Sequence, residues 1–410
     1  MILYFLMAFL FLALATLEAL GVSLISLYIL PGYSGLRWLR VHLITLGVLT
    51  EVIFGTLPAL IALHYQRPRP AFSWPMWLLL NGGLLTLMVG IPLVNAGLII
   101  SGGTLVFAAT SLLMWQLWQL RPALAQTNQS ASPTRKFYLT GLAYFLFGIF
   151  VGTGLWFGWP EALGIAVPLE VHIHANNWGL MSLVFAGLIV DFYPQFAGRP
   201  LAWPRTITPI YWLMTVGALG LVLGPWTGSL WFTVPGLVMH LAATLLVVLN
   251  MVKPVWGDTA VWSSAGMWHL TTAYIWILAP VMVAPLIILG VPGFPGMGVE
   301  QHAPQALIYG WVLQVGFAFV PYLFRRFFAP YQPAVLGGNW LSLAAVHVGG
   351  ILLWVGIFLA DWRGVLHGGA YALWALAMVP IVWEVWQVVR VAVAEWEANT
   401  AVVTPPQETA

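Results

Sequence analysis

The sequence predicts an all-α, polytopic membrane protein of twelve transmembrane helices arranged as three four-helix repeats. Three observations predict it. Of 410 residues, 61% are apolar and only 6% are charged, against about 25% charged in soluble domains. With 14 basic and 12 acidic side chains, a soluble surface cannot be covered. Apolar runs of about 20 residues, the length that crosses a bilayer, recur along the whole chain, whereas a β-barrel would alternate polar and apolar residues. The helices also share a long internal period. The net charge of +2 offers no basic face for nucleic acid, and the absence of cysteine excludes disulfides, thiolate metal sites and iron–sulfur clusters.

Pro, Gly or charged residues separate apolar runs at 4–30, 41–63, 74–95, 97–119, 137–159, 168–193, 207–225, 230–251, 267–289, 302–324, 340–360 and 368–390. The first run lacks a basic leader and carries Glu18, so it is expected to be a retained helix. Residues 1–398 are expected to form one membrane domain, with repeats at about 1–125, 136–253 and 265–392. A polar Ser/Pro/Asn-rich linker covers 121–136, a second break lies at 253–264, and 399–410 is expected to be a disordered tail. Connections on one side carry Arg37, Arg40 and Arg363. The other side carries Arg67, Arg69, Arg121, Arg135, Lys136, Arg199, Arg205, Lys253, Arg325, Arg326 and Arg390. By the positive-inside rule this split of 3 against 11 places the linker and both termini in the cytoplasm of a bacterial-type inner membrane.

The repeat is read from the second helix of each set: VHLITLGVLTEVIFG, VHIHANNWGLMSLVFAG and QHAPQALIYGWVLQVGFA. Aligning Gly47, Gly179 and Gly310 gives separations of 132 and 131 residues. His42 and His174 each precede their glycine by five residues, and Gly55 and Gly187 each follow by eight. The third helix has Gln305 and Ala318 at those places, with His302 three residues earlier, on roughly the same face.

His42, His172, His174 and His302 therefore share one membrane depth, which fits a metal or haem layer. Residues i and i+2 of a helix point about 200° apart, so His172 and His174 face different neighbours instead of gripping one ion. His64, His269 and His367 are expected to be plain interfacial residues. His240 and His347 are weaker metal candidates, with packing favoured for both.

From His172 to Pro194 the chain reads His-x-His, Gly179 five residues on, Gly187 eight later and Pro194 seven later. This stretch resembles the His-x-His helix of the haem-copper oxidase superfamily, in cbb-type cytochrome oxidase catalytic subunits and equally in the NnrS family. The resemblance implies twelve helices in three four-helix arcs and one or two haems, b-type, near the outer face. It implies an open-sited haem on His172 and a six-coordinate haem on His174, with His42 or His302 as the other ligand. The implied activity is electron transfer, or binding and reduction of nitric oxide or oxygen, as in an oxidoreductase. A cytochrome c or another respiratory subunit would be the electron donor. No His-His pair occurs in the chain and the seventh helix has no histidine, so the usual copper ligand set is missing and copper stays open.

Arg37 and Arg40 precede His42 and could pair with haem propionates or simply anchor at the interface. Glu18 and Glu51 lie inside helices 1 and 2, where ionisable groups are functional by default. They could pass protons or clasp each other. Two other functions stand beside the haem reading: a transporter built on the repeats, and a non-catalytic structural subunit of a respiratory complex.

Overall fold

The computed structural model describes residues 1–31, 36–120, 134–329 and 333–401, and every regular element among them is helical. Linker positions 121–133 and tail positions 402–410 lie outside the described residues. Eleven helices are long and apolar enough to span a bilayer. They are α1 (Ile2–Ser26), α2 (Trp38–His64), α4 (Ala96–Gln119), α5 (Arg135–Gly154), α6 (Pro168–Ala197) and α7 (Pro204–Thr227). The rest are α8 (Leu230–Val255), α9 (Ala265–Ile288), α10 (His302–Phe328), α11 (Trp340–Phe358) and α12 (Ala360–Val391). The remaining apolar helix, α3 (Trp74–Gly90), has 17 residues, at the short end of the spanning range. The last helix continues beyond its apolar part to Ala401, so residues 399–401 are helical and not part of a disordered tail.

Local chemistry sets many boundaries. Ser73, Asn95 and Ser229 cap α3, α4 and α8 with side-chain oxygens that accept from backbone N–H groups. Asn339 and Ser342 form a reciprocal capping box at α11. Gly198 and Gly228 end α6 and α7 at φ 64° and 68°, the left-handed conformation that glycine adopts without a Cβ penalty.

α2, α6 and α10 form the centre. Their apolar windows are 78%, 72% and 89% buried, against 28–50% for the other eight long spans. Among the outer helices, α4 meets α5, α8 meets α9, and α12 meets α1. α1 illustrates an outer helix. Phe5, Ala8, Leu12, Ala15, Ala19 and Val22 face the core, while Leu6, Leu10, Leu14, Leu17, Leu20 and Leu24 are exposed. In a bilayer that exposed stripe contacts lipid.

Each central helix contains a stretch of π-helix: Leu43–Leu49, Ala175–Met181 and Ile308–Val312. Gly47, Gly179 and Gly310 sit inside these stretches, each under an aromatic ring of α1, α5 or α9. A Cβ on them would lie 2.6 Å from Phe11, 2.3 Å from Tyr144 and 2.3 Å from Trp276. No side chain but hydrogen leaves room for these rings.

Candidate functional site

His42 and His172 come together. α2 and α6 bring their rings to a centroid separation of 6.2 Å with planes 24° apart. His42 lies in the first turns of its helix, stacked on Trp38 at 4.0 Å and 10°. Its Nδ1 is 3.0 Å from the Trp38 carbonyl oxygen. The Nδ1 of His172 is 2.8 Å from the Gly148 carbonyl oxygen of α5, and Gly152 lies under the same ring. The Nδ1 of His174 is 2.6 Å from the Leu221 carbonyl oxygen of α7. The two histidines of the His-x-His pair thus diverge towards different helices, as their angular separation requires.

A carbonyl oxygen can only accept, so each of these three imidazoles carries its proton on Nδ1 and keeps its lone pair on Nε2. Among the described residues none of the three Nε2 atoms has a hydrogen-bond partner. A carbonyl oxygen accepting from one ring nitrogen, with the other nitrogen free, is how proteins orient a metal-ligating histidine.

His302 is elsewhere. Its ring lies 4.7 Å from that of His367, a residue expected from the sequence to be merely interfacial. Arg40 joins this second cluster. Its Nη1 donates to the Tyr371 hydroxyl at 2.9 Å, and that hydroxyl donates to Gln305. The Tyr309 hydroxyl donates to the Arg40 carbonyl at 3.0 Å. Glu18 is buried beside Tyr309 and within electrostatic reach of Arg40. The Arg37 side chain lies outside the described residues.

Glu18 and Glu51 do not clasp each other. α1 and α2 run antiparallel, and the contacts of Phe11 with Gly47 and of Tyr4 with Gly55 set their register. Glu18 is therefore level with Arg40, and Glu51 with the first turns of α1. At 1.5 Å per residue the two carboxyls differ in depth by about 16 Å. The polar neighbours of Glu51 are Asn81 and Tyr4.

His240 and His347 have both ring nitrogens engaged. The Nε2 of His240 is 3.3 Å from the Trp178 carbonyl and its Nδ1 3.4 Å from Thr244. The Nδ1 of His347 accepts from Trp276 at 3.2 Å and its Nε2 pairs with Thr272 at 2.8 Å. His240 is buried and His347 half-buried, and both are hydrogen-bonded through both nitrogens. His269 departs from its expected interfacial setting. It is fully buried, bonded to Gln314, Asn339 and Ser342, because its ring faces α10 and the first turn of α11. Among the described residues no group of three or more His, Asp or Glu side chains is arranged to hold a metal ion. What the site offers is one close pair of imidazoles, His42 and His172, with His174 directed to the other side of α6. Compared with known proteins, the chain matches no family model and no curated sequence.

Proposed function

We propose that the chain is a haem-binding membrane protein of oxidase-like plan, with twelve helices in three four-helix sets. The placement of the three π stretches and their glycine–aromatic contacts supports the threefold plan. The single observation that carries the haem reading is the facing pair His42 and His172. Their ring separation is 6.2 Å, and both Nδ1 atoms are held by carbonyls. Both rings keep an Nε2 lone pair, so the residues present fit a group held through imidazole nitrogen, such as a haem. His42 and His172 would hold a six-coordinate haem, and His174, on the side of α6 towards α7 with His240 within electrostatic reach, would hold an open-sited one. This exchanges the roles that the family resemblance gives to His172 and His174. A haem supplies one-electron transfer, and with one axial position open it binds a diatomic gas such as nitric oxide or oxygen.

The chain's own residues orient the imidazoles and exclude water. Trp38 stacks on His42, and His172 Nδ1 donates to the Gly148 carbonyl oxygen at 2.8 Å, which fixes both rings. The buried Nε of Arg40 has no hydrogen-bond partner among the described residues, so Arg40 remains the candidate for a propionate. Copper is not required. A cytochrome c or another respiratory subunit would be the electron donor, and the linker and termini would face the cytoplasm. A transporter reading drew on Glu18 and Glu51 meeting, and they lie in separate polar groups.

Carbon monoxide added to the reduced, purified protein tests the assignment. Part of the Soret band should shift. The shift should vanish in His174→Ala and persist in His172→Ala, which should instead lose the low-spin signal. The reverse pattern would restore the roles given by the resemblance. No haem in any preparation would reject the reading.

A further inference from the structure

Glu51 stands outside the histidine sites. It is fully buried in α2, and neither carboxyl oxygen has a hydrogen-bond partner among the described residues. Two more orphans surround it. Tyr4, from the first turn of α1, is 3% exposed and its hydroxyl has no partner. Asn81, from α3, is also 3% exposed. Its Nδ2 donates to the Trp77 carbonyl at 3.1 Å, and its Oδ1 has no partner.

Buried polar atoms are nearly always satisfied, by protein or by ordered water. Unpaired groups from three helices meeting at one place therefore require something between them, and a water needs two to four polar partners of this kind. A carboxylate in hydrocarbon also needs a counter-cation, because an isolated buried charge is too costly to persist. Tyr4 and Asn81 are the polar groups that face Glu51, and neither supplies positive charge. The site offers four oxygens, two from Glu51 and one each from Asn81 and Tyr4. A hard metal cation takes about six or more.

We propose that Glu51 is an exchangeable proton-binding site. A proton from the membrane face at which α1 begins passes the Tyr4 hydroxyl and a bridging water and adds to a carboxylate oxygen. Release reverses the same path. Nothing is oxidised or reduced, and Asn81 holds the water in place. Glu18, about 16 Å away in depth, belongs to a different group.

The test is labelling of the full-length protein in membranes with dicyclohexylcarbodiimide, an apolar reagent that attacks neutral carboxyls, mapped by peptide mass spectrometry. Glu51 should carry the adduct, unchanged by added sodium. The adduct at this peptide should be lost in Glu51→Gln. Tyr4→Phe provides a second variant should that one not fold. It should keep the adduct but slow, by tenfold or more, the deuterium shift of the carboxyl C=O infrared band. Absence of adduct at Glu51 in folded protein would overturn the proposal. Protection by sodium would overturn it in favour of an alkali-ion site, and an unchanged deuterium rate in Tyr4→Phe would remove the route. None of these readouts involves haem, so they fail or succeed independently of the haem reading.

Discussion

At the scale of single residues, the cluster around Arg40 joins α2 to α10 and α12 through one hydroxyl. Tyr371→Phe removes the acceptor for Arg40 and the donor for Gln305. Leaving buried polar groups unpaired costs about 1–3 kcal/mol each, so thermal unfolding in detergent should occur at a clearly lower temperature. Tyr28→Phe, at a residue 90% exposed, should leave it unchanged. The same residues mark where the sequence was legible. The divergence of His172 and His174 follows from helix geometry alone, and the structure has it. The pairing of His302 with His367 was not legible, because it joins helices 65 positions apart and His367 has no motif around it. Separate settings for Glu18 and Glu51 follow from the antiparallel register of α1 and α2. That register depends on which ring lies over Gly47.

At the scale of elements, the apolar runs located the long helices, most ends to within about five residues, since hydropathy and Pro/Gly punctuation set the ends of a spanning helix; α12 starts at Ala360, eight residues before its run. The π stretches could not be read. They occur where an aromatic ring of a neighbouring helix packs onto a glycine, and no local signal distinguishes Gly179 from Gly316. Substitution distinguishes them. Gly179→Ala places a methyl 2.3 Å from the Tyr144 ring, and such overpacking costs about 1–3 kcal/mol, which should lower the unfolding temperature. Gly316 has nothing within 4 Å of its would-be Cβ, and Gly316→Ala should be neutral or stabilising by up to about 1 kcal/mol. Equal behaviour of the two would contradict the packing described for the central helices.

At the scale of the whole molecule, the buried central helices α2 and α6 bring the imidazoles of His42 and His172 to a centroid separation of 6.2 Å. In the proposed twelve-span arrangement the basic residues would divide 3 against 11 between the two sides, so a reporter fused after Thr400 should be active only if its fold requires the cytoplasm. The central claim is that facing histidines with carbonyl-fixed Nδ1 atoms hold haem. The measurement that tests it most directly is the reduced-minus-oxidised spectrum of the purified protein with haem quantified per chain. The account predicts a Soret band, a low-spin α band lost in both His42→Ala and His172→Ala, and about one to two haems per chain. A colourless protein, or a low-spin band that survives both substitutions, would contradict it.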